Sequence, residues 1–189
     1  MLELLKFLNS VNPIQPLVQQ YLGQVLRKKQ LRKNQVWLQE GAVCDKIAFI
    51  ENGLLKVYFE SGAKEVCLWY NKENDVIISA KSFFAQTASQ LAIRAVTEAT
   101  LYYIHYDELQ TLYDKHLEFN INGRRVLEHY YGLSEQHVCL LLQPIKLRYQ
   151  LTSKLYPWMF TDTRITDRML AAYMGMTPAS FYACKKEGF

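Results

Sequence analysis

Apolar and polar positions alternate in short runs through the middle of the chain and recur at helical spacing on either side of it. Ile47-Ala48-Phe49-Ile50 is a compact apolar run, and Glu51-Asn52-Gly53 comes after it as a turn signal. Residues 54–59 then resume with β-branched and aromatic side chains, the sequence form of a hairpin. A second turn, Glu60-Ser61-Gly62-Ala63-Lys64, leads into Glu65-Val66-Cys67-Leu68-Trp69-Tyr70. After the polar loop 71–75, Val76-Ile77-Ile78 reads as another short strand, and residues 91–96 and 99–104 read as a last pair around Thr97-Glu98. Short strands at this spacing across 36–104 predict an antiparallel roll of sandwich or barrel type.

Before the roll, residues 1–8 and 13–26 carry apolar positions at helical spacing, with Asn12 as a cap and Pro13 at the first helical position. After it, 106–116 predicts a connecting helix and 118–143 one long helix. Along the long helix Phe119, Gly123, Val126, Tyr130, Leu133, His137 and Leu140 alternate spacings of four and three, a heptad stripe that requires a partner. That partner is either the protein's own roll or a second copy of the chain. In a seam between copies, Gly123 permits close approach and a buried His137 makes the contact pH-sensitive.

Pro144 ends the long helix and marks a domain boundary. Residues 145–160 are helical in pattern, Thr161-Asp162-Thr163 is a turn, and Thr166 or Asp167 caps the next helix. Residues 166–173, then Met174-Gly175-Met176, then 177–186 have the form of a helix-turn-helix, with Thr177 as cap and Pro178 at the first position of the second helix. Leu170, Ala171 and Met174 face inward with Phe181 in this reading.

Half of the residues are hydrophobic, with 8 Gly and 5 Pro among 189, which is the composition of a folded chain rather than a disordered one. No N-terminal stretch has a signal-peptide pattern, and no apolar run approaches the ~20 residues that span a bilayer, so a cytoplasmic protein without a membrane partner is expected. Cys44, Cys67, Cys139 and Cys184 are widely spaced, and His105, His116, His129 and His137 show no ligand spacing, so neither metal nor other cofactor is expected. The net charge of +4 is localised: residues 1–143 hold 15 basic and 15 acidic side chains, and 144–189 hold 7 basic against 3 acidic. A neutral body with a basic end suits a nucleic-acid-binding module, because phosphate neutralisation is the sequence-independent part of DNA affinity. The separate basic run Arg27-Lys28-Lys29, with Arg32-Lys33, reads as a solvated strand edge.

Gln39-Glu40-Gly41, the run 47–50, Glu51-Asn52-Gly53 with 54–58, and Asn74-Asp75-Val76-Ile77 together resemble the cyclic-nucleotide-binding roll of the Crp-Fnr family of bacterial transcription regulators. Ala171-Ala172-Tyr173-Met174-Gly175-Met176-Thr177-Pro178 resembles that family's closing motif. The resemblance implies an α+β fold: an antiparallel β-roll, jelly-roll-like, as sensor domain over 1–116, a dimerisation helix over 117–143, and a helix-turn-helix domain over 144–189. It further implies a homodimer whose seam is the heptad stripe, and partners comprising double-stranded DNA, RNA polymerase and a small-molecule effector of unknown identity. No enzyme is implied.

In this reading Pro178, Ala179, Ser180 and Tyr182 meet base edges, and Thr177, Lys185 and Lys186 hold phosphate. The family's Ser-Arg pair, whose arginine contacts guanine, is replaced by Tyr182-Ala183, and the chain ends at Phe189 with no room for the trailing β-wing of many relatives. In the roll, Ser79 and Ser89 fall where cyclic-nucleotide-binding relatives carry a glutamate for the ribose and an arginine for the phosphate. Serine cannot supply that charge, so tight binding of cyclic AMP or cyclic GMP is not expected. Arg94 is nearby, and alternation from Ile93 leaves it as ready to face solvent as the pocket. Ser79, Lys81, Ser82, Phe83, Gln86, Ser89 and Gln90, with Tyr130 from the long helix, outline an effector pocket that is either open to another ligand or collapsed. Iron–sulfur relatives carry an N-terminal cysteine cluster, and this chain has no cysteine before Cys44. Two other classes remain: a ligand- or protein-binding module that kept the fold without specific DNA readout, and a cupin-like enzyme. The enzyme requires histidines inside the roll, and none lies between 36 and 104.

Overall fold

The computed structural model describes residues 1–62 and 64–187. Ala63, within the expected 60–64 turn, and Phe189, the expected wingless end, lie outside the described residues. The chain forms two compact units, 1–127 and 128–189, which divide inside the long helix.

The first unit begins with α1 (Leu2–Val11) and α2 (Pro16–Val25), followed by β1 (Arg27–Leu31), β2 (Val36–Leu38), β3 (Lys46–Asn52), β4 (Leu55–Ser61), β5 (Lys64–Asn71) and β6 (Val76–Ile77). Helix α3 (Ala80–Ala85), β7 (Ala92–Ala95), β8 (Ala99–His105) and α4 (Tyr106–Lys115) complete the roll, and α5 (Phe119–Leu141) leaves it. The strands form two antiparallel four-stranded sheets, ordered β1-β8-β3-β6 and β2-β7-β4-β5. Alternation sends Leu55, Val57, Ile93 and Ala95 of one sheet, and Ala48, Ile50 and Leu101 of the other, into a shared core with Phe83 and Leu112. A jelly-roll-like α+β architecture with a long helix and C-terminal helices is therefore observed.

Two expected strand pairs are not pairs. The turn at 51–53 passes the chain from β3 in one sheet to β4 in the other, and Thr97-Glu98 does the same between β7 and β8. Gly53 makes the first crossing possible: its φ is 108°, and a Cβ there would lie 2.5 Å from Ala99 Cβ and 2.6 Å from Glu98 O. The β4–β5 hairpin forms as expected across Gly62. The roll also starts earlier than the alternation suggests. Strand β1 lies at a sheet edge, where Arg27 pairs with Glu108 at 2.7 Å and Lys28 with Glu51 at 3.0 Å.

Helix α1 lacks a basic residue in its last turn, and α5 supplies the missing donors. Asn122 Nδ2 donates to Leu8 O and Asn12 O, both at 2.9 Å, and Arg125 donates to Val11 O at 2.6 Å. Next to Asn122, Gly123 lies against Tyr113 of α4, leaving no space for a Cβ. The small residue thus serves close packing inside the roll unit.

The second unit contains the rest of α5, then α6 (Ile145–Leu155), α7 (Pro157–Thr161), α8 (Asp167–Tyr173) and α9 (Pro178–Lys186). Tyr149 sits between Phe160 and Phe181, with ring centroids 5.6 and 5.4 Å away. Met159, Leu170, Ala171, Met174 and Cys184 are buried in the same unit. His137 stacks on Tyr173 with centroids 4.4 Å apart, and burial pushes its pKa down to about 4. No helix among the described residues is long and apolar enough to cross a membrane.

Candidate functional site

The segment expected to form an effector pocket folds onto itself. Helix α3 starts after Ser79 and ends at Gln86, which adopts a left-handed conformation (φ 49°). Ser82 Oγ donates to Thr87 O at 2.5 Å and accepts from Cys44 N at 2.9 Å. Ser89 Oγ lies 2.9 Å from Ser79 Oγ and 2.7 Å from Leu91 O, and accepts from Leu91 N at 3.0 Å. Backbone bonds from Gly41 N to Ser89 O (2.7 Å) and from Ser89 N to Ala42 O (2.8 Å) strap the preceding loop across the segment. Gln86 Nε2 donates to Phe83 O at 2.5 Å.

Ser79, Ser82, Ser89 and Phe83 are all buried, whereas Lys81, Gln86 and Gln90 are exposed. The expected pocket residues therefore divide into an internally bonded layer and a solvent-facing one, and Tyr130 belongs to the other unit. The buried hydroxyls meet protein groups, and none of the buried members carries charge.

The charge that is present lies on a sheet face. Arg94 lies on the outward face of its sheet, half-buried, its Nη2 donating to both Glu65 oxygens at 2.7 Å with the guanidinium 5.0 Å from the Tyr58 ring centroid. Lys56 pairs with the same carboxylate and lies 4.7 Å from the same ring. Burial alone would raise the Glu65 pKa, but Lys56 and Arg94 hold it below the ordinary value. Sequence reading misses this cluster, because the pairings Lys56↔Arg94 and Glu60↔Glu65 appear only with the register. Cys67 is inert as a nucleophile, since burial pushes its pKa up to about 11.

On α5 the expected seam residues face different surroundings. Phe119, His137 and Leu140 are buried, Val126, Tyr130 and Leu133 are half-buried, and Gly123 meets Tyr113. The exposed apolar positions are Leu127 (49%), Tyr131 (65%), Val138 (57%) and Leu142 (80%), spaced four, seven and four along the helix. These lie one or two positions away from the predicted stripe.

In the second unit the turn at Gly175 (φ 60°) separates α8 from α9. Thr166 Oγ1 accepts from Met169 N at 3.3 Å, and Thr177 Oγ1 accepts from Ser180 N at 3.1 Å, so both helices are capped by side chains. Arg148 holds the assembly: it donates to Gln143 O at the end of α5 (2.9 Å) and to Met174 O in the turn (2.7 Å). Phe181 and Cys184 point inward, while Thr177, Pro178, Ala179, Tyr182, Ala183, Lys185 and Lys186 are exposed and Ser180 is half-buried.

The basic excess is partly neutralised within the unit. Lys146 pairs with Glu187 (2.7 Å), Arg164 with Asp162 (2.7 Å) and Lys185 with Asp167 (2.8 Å). Lys185, expected on phosphate, thus already has a carboxylate. Lys154, Arg168 and Lys186 are exposed.

The cyclic nucleotide-binding domain family matches residues 28–116. Among solved structures, CooA from Carboxydothermus hydrogenoformans, in a mutant form, is 15% identical at a TM-score of 0.70, covering 97% of this chain and 82% of that one. FixK2 from Bradyrhizobium japonicum is 14% identical at 0.70, covering 86% and 84%. The c-di-GMP-responsive global regulator CLP of Xanthomonas campestris is 12% identical at 0.68, covering 92% and 91%. No curated protein matches by sequence. Residues 28–116 thus match the cyclic nucleotide-binding domain family, and the chain shares its fold with the solved structures of CooA, FixK2 and CLP.

Proposed function

We propose that this chain, a cyclic nucleotide-binding roll in a Crp-Fnr fold, is a homodimeric cytoplasmic transcription regulator that binds double-stranded DNA through α9. The observation that carries this reading is the capped pair α8–α9, whose second helix buries Phe181 and Cys184 and leaves Ala179, Tyr182, Ala183 and Lys186 facing outward. The organisation is a sensor over 1–116, a dimer helix over 117–143 and a reading domain over 144–189. Tyr131, Val138 and Leu127 of α5, with Leu142 just beyond its end, form the seam between copies, because they are large apolar residues left exposed there.

The roll does not take cyclic AMP or cyclic GMP tightly. Ser79 and Ser89 bond each other where a nucleotide would demand a carboxylate and a guanidinium. Selection of bound duplexes from a random library at physiological salt tests the reading. A two-fold symmetric enriched site is expected, and Val138→Glu abolishes both dimer and enrichment.

A second reading has its own support. Lys146, Arg164 and Lys185 already hold acidic partners, which reduces the charge facing DNA and favours a binding module that has lost specific readout. Such a module shows no steep fall of DNA affinity with salt.

A further inference from the structure

The outer face of α9 consists of Ala179, Tyr182, Ala183 and Lys186, at spacings of three, one and three, and all four are exposed, Tyr182 at 51%. Of the four, only Lys186 belongs to the side chains that recognise bases through paired or charge-assisted hydrogen bonds in the major groove, and it is the last residue of α9, away from the N-terminal end that meets base edges. The hydroxyls at the start of the helix are also engaged: Thr177 Oγ1 and Ser180 Oγ lie 2.9 Å apart, and Thr177 Oγ1 also caps Ser180 N. The face therefore presents two methyl groups and a phenol ring, flanked by exposed Lys186 and, on α8, exposed Arg168.

We propose that α9 reads thymine methyl groups, with Ala179 and Ala183 packing against C5-methyls in the major groove and Tyr182 covering an adjacent pyrimidine edge. The inference rests on the DNA-binding reading above and adds which base feature is recognised. The C5-methyl is the one apolar group that base pairs display in the major groove, so it is the feature an apolar reading face can distinguish. The flanking cations favour a polyanion over an apolar protein groove as the occupant of this face.

The test uses the full chain and the duplex enriched by library selection. Each thymine in the half-sites is replaced in turn by deoxyuridine, which removes the methyl and leaves the hydrogen-bonding edge intact. Affinity is expected to fall about threefold for each contacted methyl, from the free energy of burying one such group. In a second arm, Ala183→Arg, with its fold verified by circular dichroism, is expected to move enrichment toward guanine at one position per half-site. Equal affinity for thymine and deoxyuridine duplexes, or an enriched site without thymine, overturns the methyl reading and leaves DNA binding standing. Failure to enrich any duplex with a folded dimer overturns both.

Discussion

The 79–91 segment of the roll and the outer face of α9, the two regions that bear on the proposed ligands, treat their polar groups in opposite ways. Between Ser79 and Leu91 the buried hydroxyls bond to each other and to nearby backbone, and Phe83 is fully buried among them. On α9 the inward residues Phe181 and Cys184 hold the helix, while Ala179 and Ala183 are exposed and Tyr182, half exposed, meets the Phe181 ring edge-on at 5.9 Å between centroids. The first region uses ligand-position residues to build its own structure. The second keeps its buried and its exposed residues on opposite sides of one helix, so substitutions among the exposed ones are expected to change the proposed recognition with little change in stability.

That contrast can be broken at several points. Phe83→Ala, in the cassette, is expected to lower the stability of the roll by about 3 to 5 kcal/mol in urea denaturation, through the cavity beside Tyr106 and Phe84. Ser89→Ala leaves Leu91 N and Ser79 Oγ without their partner and is expected to cost about 2 kcal/mol. Adding Ser79→Ala is expected to cost less than the sum, because the two hydroxyls share one bond.

In the helical unit His137 sharpens the comparison from the other side. Its folded pKa, about 4, lies below the ordinary 6.5, so the unfolded chain binds a proton between these values and the folded chain does not. Stability is fully present above pH 6.5 and falls toward pH 4, by on the order of 2 kcal/mol. His137→Phe flattens that slope in pH-resolved denaturation. Thr177→Ala removes the cap on α9 and is expected to cost about 1 kcal/mol. Tyr182→Ala is expected to change stability by under about 0.5 kcal/mol while weakening DNA binding, the smallest stability effect and the most direct test that the two roles are separate.

The features legible in the sequence obey local rules. Thr177-Pro178 and Gly175 specify a cap and a left-handed turn whatever surrounds them, and both occur where expected. Gly62 and the alternation around it set the β4–β5 hairpin in the same way. The crossings at Gly53 and at Thr97-Glu98 are not legible, because a turn between strands of different sheets has the same local pattern as a hairpin turn. The helix stripe is ambiguous for a related reason. Phe119, His137 and Leu140 on one side of α5, and Leu127, Tyr131, Val138 and Leu142 on another, both satisfy spacings of three and four. Only burial distinguishes the side already covered by the protein from the side left bare. The openness of the serine layer is undecided in the sequence, since hydroxyls that bond each other and hydroxyls that await a ligand look identical in one dimension.

Arg148 has a consequence for how any signal could reach α9. Its guanidinium clasps the segment just after α5 and the turn of the helix pair at once, through Gln143 O and Met174 O. The segment that closes the long helix and the turn of the helix pair are thereby tied through one side chain. In the regulator proposed above, a twist entering at Tyr131 or Val138 would pass to α9 through this tie.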